Sequence, residues 1–191
     1  MELILASTSP YRAALLARLG LPFRAVAPRV VEDDWKARGL APDELARALA
    51  AAKALSLAEE FPGAAILGGD QLAAVDGEIL RKPGGVERAR DQLAHLSGRT
   101  HELVTAIAVW ADGNIHEHID IARLTMRDLS SAEIARYVEA DNPIDCAGSY
   151  KLESLGIALF ERIEAADHSA ITGLPLMALS AMLRRLGFAV P

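Results

Sequence analysis

The sequence predicts an α/β protein, a twisted mixed β-sheet flanked by helices. Three observations predict it. Short apolar runs suited to buried strands alternate along the chain with longer segments of helical character. Within that alternation, two long strands split by Asp112-Gly113-Asn114 read as an antiparallel ribbon. At 191 residues, 51% of them hydrophobic, the chain can bury a sizeable core in one compact domain spanning residues 1–191, with room for two lobes.

The first element is Leu3-Ile4-Leu5-Ala6, a short buried strand stopped by Ser7-Thr8-Ser9. Ser9 is a helix N-cap and Pro10 suits the first helical turn. Leu15, Leu16 and Leu19 give the helix an apolar face, and Gly20 is placed to end it. Loop N–H groups, the positive end of a helix dipole and the Arg12 guanidinium thus converge, as a phosphate site requires. An ordinary strand–loop–helix start would look the same.

Residues 23–30 read as a second strand, followed by the acidic turn Glu32-Asp33-Asp34, whose functional reading is metal ligation or proton acceptance. Residues 43–60 form a long helix with Leu45, Leu49 and Leu57 at four-residue steps, and Lys53 lies in the same row. From position alone Lys53 snorkels to the surface, though it can also aim its ammonium into a cleft. Residues 64–68 are a buried strand, with Gly69-Asp70-Gln71 at its carboxyl end, the edge where α/β folds place catalytic groups. Asp76-Gly77 joins residues 72–75 and 78–80 as a hairpin, which leads to Arg81-Lys82-Pro83.

A helix follows over residues 86–96, then the ribbon of residues 101–110 and 115–126. His116, His118 and Asp120 share one face of its second strand and could bind metal, but a polar strand face is normally just solvated. Ser130 and Glu133 make a capping box for a helix ending near Ala140, before Asn142-Pro143. A small, polar loop spans residues 146–153, a strand 156–163 and a turn 169–175, and Pro175 opens a last helix ending at Gly187.

Bulk properties exclude several classes. A net charge of -6 argues against a nucleic-acid backbone as partner. No run is long enough to cross a bilayer and no basic-then-apolar leader is seen, so no membrane partner is expected. The single cysteine, Cys146, excludes an internal disulfide and suits a reducing cytoplasm. Of 20 basic residues only Lys36, Lys53, Lys82 and Lys151 are lysines, which hints at places where a compact ammonium is needed.

Taken together the motifs resemble the Maf family of nucleotide pyrophosphatases. They are Ser7, Ser9, Pro10 and Arg12; Glu32; Lys53-Ala54; Gly69-Asp70; Lys82-Pro83; Leu96-Ser97-Gly98-Arg99; Val104-Thr105; Ala147-Gly148-Ser149-Tyr150; and Gly173-Leu174-Pro175-Leu176. Each alone is common, but their order and spacing over nearly the whole chain are specific. Arg81 and Ala106 depart from the pattern where the family often has glycine, which touches turn shape and not a charged motif residue.

The resemblance implies two lobes around a central cleft, and hydrolysis of a nucleoside triphosphate between the α and β phosphates. It assigns Asp70 as general base, and Ser7, Ser9, Arg12, Lys53 and Lys82 to the phosphates. Glu32 and Asp70 become ligands of a divalent cation, Mg²⁺ or Mn²⁺, with the split of base and metal roles left open. The substrate is a small-molecule nucleotide, and members often form homodimers. One subgroup carries Asp-Thr at the catalytic strand and prefers pyrimidine triphosphates. Here the residues are Asp70-Gln71, with Cys146-Ala147-Gly148-Ser149 and Glu153, which is similar to the subgroup acting on 7-methyl-GTP. The chemistry agrees. N7-methylation makes guanine cationic, so Tyr11 could stack on the ring and Glu153 accept from its N1–H and amine. The alternatives are a UTP or dTTP pyrophosphatase, and a nucleotide-binding regulator of septum formation without significant catalysis.

Overall fold

A computed structural model describes residues 1–190. Seven strands are hydrogen-bonded in the order β2-β1-β3-β5-β6-β7, with β4 added on β3. In chain order they are β1 (Leu3–Ala6), β2 (Arg24–Val26), β3 (Ala65–Val75), β4 (Glu78–Leu80), β5 (Thr100–Ala111), β6 (Asn114–Met126) and β7 (Phe160–Glu164). The β1 strand is parallel to both β2 and β3, whereas β3/β4 and β6/β7 are antiparallel, so the sheet is mixed as expected.

The chain divides into two compact units. The first comprises Met1–Gln71, Val104–Asp120 and Asp167–Pro191, and the second Leu72–Leu103 and Ile121–Ala166. The first unit contains helices α1 (Pro10–Ala17), α2 (Glu32–Lys36), α3 (Pro42–Leu55), α6 (His168–Ile171) and α7 (Leu176–Arg185). Its core joins Leu5 of β1, Leu16 of α1, Leu67 of β3, Val109 of β5 and Leu179 of α7. The four residues of β1 are all buried, which is why the strand reads as a continuous apolar run and not an alternating one. The second unit carries α4 (Val86–Leu96) and α5 (Ser131–Asp141). The expected capping box opens α5, with the Ser130 hydroxyl accepting from the Glu133 N–H, and a left-handed Asn142 closes it before Pro143.

Several elements differ from expectation, each for a local reason. The second strand stops at Val26, because Pro28 has no N–H to continue the ladder. The acidic run is a short helix, α2, whose three carboxylates lie in the first turn, where the dipole favours them. The long helix ends at Leu55. Ser56 turns its hydroxyl back onto the Lys53 carbonyl at 2.8 Å, and residues 56–60 continue only as turns. Residues 155–159 form a 3-10 turn, which shortens the expected strand to β7. The expected turn at 169–175 overlaps α6, which starts at His168 and is capped by Asp167, and Pro175 caps α7 from outside.

The correction that matters most concerns β3. It runs unbroken for 11 residues through Gly69-Asp70-Gln71, so Asp70 lies inside a strand and not at its carboxyl end. The glycine pair admits close neighbours instead of breaking the strand. A Cβ on Gly68 would lie 2.1 Å from the Ala50 carbonyl oxygen and 2.7 Å from the Ala54 nitrogen, so α3 rests directly on the strand there.

Candidate active site

That contact sets the register of α3 against β3 and delivers Lys53 to Asp70. Leu45, Leu49 and Lys53 form one buried row, as their spacing predicts, but the ammonium does not snorkel outward. Lys53 is 6% exposed and Asp70 5%. Lys53 Nζ lies 2.6 Å from Asp70 Oδ1 and 2.7 Å from Glu32 Oε1, so one ammonium bridges two carboxylates. The other Glu32 oxygen accepts from Lys36 Nζ at 3.0 Å.

The two acids are held in different states. At Glu32 burial works to raise the pKa, but the hydrogen bonds and charges of Lys53 and then Lys36 outweigh it and hold the carboxyl at about 2. At Asp70 burial dominates and lifts the carboxyl above its ordinary value, against the pull of Lys53 and Arg12. A firmly ionised carboxylate thus sits beside one whose proton affinity is raised.

Arg12 belongs to the same group. Its backbone N–H donates to the Ser9 hydroxyl at 3.4 Å, the N-cap contact expected from sequence. Its guanidinium Nε donates to the Gly173 carbonyl at 3.2 Å. The side chain runs close to two glycines: a Cβ on Gly69 would lie 3.4 Å from Arg12 Nε, and one on Gly173 3.6 Å from Cγ and Nε. Burial lowers the Arg12 pKa, while Asp70 and Glu32 oppose that shift. Ser7 is buried, and its hydroxyl accepts from the Ser9 N–H at 3.1 Å, which tightens the loop.

Gln71 follows Asp70 on the strand. Its amide nitrogen lies 2.9 Å from the Thr105 hydroxyl, 2.9 Å from the Ala170 carbonyl and 3.0 Å from the Ile171 carbonyl. Tyr11 is 46% exposed at the first turn of α1. Lys82 and Glu153 belong to the second unit and are exposed there. The structure therefore brings Arg12, Glu32, Lys53 and Asp70 together within one unit, with Ser7, Ser9 and Gln71 on the same elements.

Reasoning from sequence missed Lys36, which only its i,i+4 spacing from Glu32 could have signalled. It also missed the capping pair Asp167 and Ser169, whose Asp-x-Ser spacing is a cap signature. Among the described residues no group of three or more His, Cys, Asp or Glu side chains is arranged to hold a metal, and His116, His118 and Asp120 do not form one. Glu32 and Asp70 offer two hard oxygen donors. That suits an Mg²⁺ or Mn²⁺ ion taking one or two carboxylates and filling its other positions with water and phosphate oxygens.

Comparison with known proteins identifies the family of the chain. The model of the Maf-like protein family matches residues 2–186, and the chain belongs to that family. It is 51% identical over 187 residues to a 7-methyl-GTP pyrophosphatase of Bordetella pertussis, covering 97% of this chain and 92% of that one. A 7-methyl-GTP pyrophosphatase of Bdellovibrio bacteriovorus is 48% identical over 182 residues, 95% of each chain. Among solved structures, a nucleoside-triphosphatase / dITP/XTP pyrophosphatase from Mycobacterium abscessus is 19% identical with a TM-score of 0.44, over 68% of this chain and 76% of that one.

Proposed function

We propose that this protein is a nucleoside triphosphate pyrophosphatase that cleaves 7-methyl-GTP between its α and β phosphates, releasing 7-methyl-GMP and pyrophosphate. The carrying observation is Lys53 bridging Asp70 and Glu32 beside Arg12, in a chain about half identical to relatives named for that reaction.

The chemistry needs phosphate charge neutralised and a water deprotonated. Arg12 and Lys53 supply cations to the phosphates, joined by Lys82 and the loop carrying Ser7 and Ser9. The Asp70 carboxylate takes the proton of the attacking water, and burial raises its affinity for that proton. Lys53 orients that carboxylate by holding Oδ1. Glu32, with Asp70 as second ligand, would hold Mg²⁺ or Mn²⁺, which supplies charge neutralisation across the phosphate oxygens. Tyr11 and Glu153 recognise the cationic base, and Gln71 acts through the loop it holds. The residues act as a single catalytic domain over 1–191.

The same reading gives a cytoplasmic protein acting on a free nucleotide, as a homodimer. No helix of the described residues is long and apolar enough to cross a membrane. Light scattering on the purified protein tests the dimer. Pyrophosphate release from 7-methyl-GTP, GTP, UTP and dTTP at equal concentration, with Mg²⁺ and Mn²⁺ in parallel, tests the activity. The methylated substrate turns over fastest. Faster pyrimidine turnover would overturn the substrate assignment, and no release from any would favour a nucleotide-binding regulator.

A further inference from the structure

We propose that Asp167 and Ser169 are positioning residues: they hold residues 167–177 so that the Gly173 carbonyl fixes the plane of the Arg12 guanidinium. The proposal rests on the reading of Arg12 as a phosphate ligand.

The segment is tied at both ends by two buried side chains. Asp167 Oδ1 accepts from the Ser169 N–H at 2.9 Å and from its hydroxyl at 2.5 Å, while Oδ2 accepts from the Met177 N–H at 2.7 Å. The Ser169 hydroxyl oxygen in turn accepts from the Leu176 N–H at 2.8 Å. Three of these contacts satisfy N–H groups at the starts of α6 and α7, which have no partner within their helices. The middle of the segment is held from elsewhere in the same unit. Gln71 reaches the Ala170 and Ile171 carbonyls, and the Thr105 hydroxyl donates to the Ala170 carbonyl at 3.0 Å. Between the tied ends lies Gly173, at φ +114°, a backbone state that side chains rarely adopt. Its carbonyl accepts from Arg12 Nε.

A guanidinium is planar, so anchoring Nε fixes the direction in which the two terminal nitrogens present their fork. Release of the Asp167–Ser169 clasp lets the acceptor drift and leaves Arg12 chemically intact but misaimed. A clasp that merely stabilises the fold would not act through Arg12, and a double-mutant cycle separates the two.

The test measures binding of inorganic tripolyphosphate with Mg²⁺ by calorimetry, which needs no turnover. Arg12→Ala weakens binding by about thirtyfold, the loss of one charge-assisted contact. Ser169→Ala weakens it by about fivefold, and the double variant binds within about twofold of Arg12→Ala alone. Asp167→Asn, isosteric and uncharged, gives the same pattern and serves if Ser169→Ala does not fold. Losses that multiply in the double variant, or a Ser169→Ala protein that binds like wild type, would overturn the positioning role. An Arg12→Ala protein with wild-type affinity would instead remove Arg12 from the phosphate site.

Discussion

Lys53 and Asp70 meet at 2.6 Å with both side chains more than nine-tenths buried. Neither charge is kept by water: Lys53 depends on Asp70 and Glu32, and Asp70 on Lys53 and Arg12. The dependence is unequal. Removal of the Asp70 charge leaves Lys53 neutralised by Glu32. Removal of the Lys53 charge takes away the partner shared by both carboxylates and leaves Asp70 with the pull of Arg12 alone and Glu32 with Lys36 alone. Lys53→Met therefore lowers the unfolding free energy by about 3–5 kcal/mol, and Asp70→Asn by clearly less. Denaturant melts at neutral pH measure both, and equal losses would contradict the shared-lysine arrangement.

Burial raises the proton affinity of Asp70, and this has a kinetic counterpart. A base must be ionised to take a proton, so kcat/KM falls as pH drops through the Asp70 pKa. The acid limb lies above the ordinary aspartate value of about 3.9. Asp70→Asn retains the fold by circular dichroism and loses about 10²-fold or more in kcat. A variant with most of the wild-type rate would remove Asp70 as the base.

Gly68, two residues before Asp70 on β3, predicts a defect transmitted through α3. A methyl group there meets the Ala50 carbonyl oxygen at 2.1 Å, and backbone cannot swing aside as a flexible side chain can. Gly68→Ala pushes α3 off β3 and moves Lys53 with it. The variant loses about 2 kcal/mol or more of stability, and its kcat falls by about tenfold or more. Unchanged stability would mean that the helix is not seated on the strand.

His101 sets a pH limit on the second unit. It is 1% exposed, its Nε2 lies 2.8 Å from the Tyr150 hydroxyl, and its Nδ1 has no partner. Burial lowers its pKa to about 4, so the folded state holds fewer protons than the unfolded chain below pH ~6.5. The stabilisation is fully present above that unfolded value and is lost as pH falls through the folded one. The contribution is about 3 kcal/mol across that window. His101→Gln keeps a hydrogen-bonding side chain without this titration. Its unfolding midpoint changes less between pH 6.5 and 4.5 than that of wild type, and parallel curves would exclude His101 as the source.

The legible parts of this fold were those whose signals are local. Ser9 before Pro10, Ser130 with Glu133, and Asn142 before Pro143 are complete within a few residues, and the structure uses each as read. What was not legible depended on partners far along the chain. Lys53 looks like a snorkelling residue until Glu32 and Asp70 are seen to share its ammonium. Gly69-Asp70 looks like a strand end because two glycines usually break a strand. They are tolerated here because α3 packs over Gly68 and the Arg12 side chain lies against Gly69. Residues 169–175 read from sequence as a plain turn; the clasp of Ser169 with Asp167 was not read, and the link from Gly173 to Arg12 spans 161 residues.

Glu153 offers the sharpest test of substrate choice. The chain on either side of it is pinned within the second unit. Lys151 Nζ donates to the Asp141 and Asn142 carbonyls at 3.1 and 3.2 Å, the Lys151 N–H donates to the Tyr137 hydroxyl at 2.9 Å, and the Ser154 hydroxyl donates to Asp141 at 2.6 Å. The Glu153 side chain itself is exposed, a carboxylate presented from an anchored loop. A carboxylate gains more than an amide does from a base that carries a positive charge, because only the carboxylate adds a Coulombic attraction to its hydrogen bonds. Glu153→Gln therefore lowers kcat/KM for 7-methyl-GTP by about tenfold more than for GTP, with the melting temperature unchanged. Equal losses on both substrates would place Glu153 outside the base pocket, and methyl selectivity would then have to come from stacking on Tyr11.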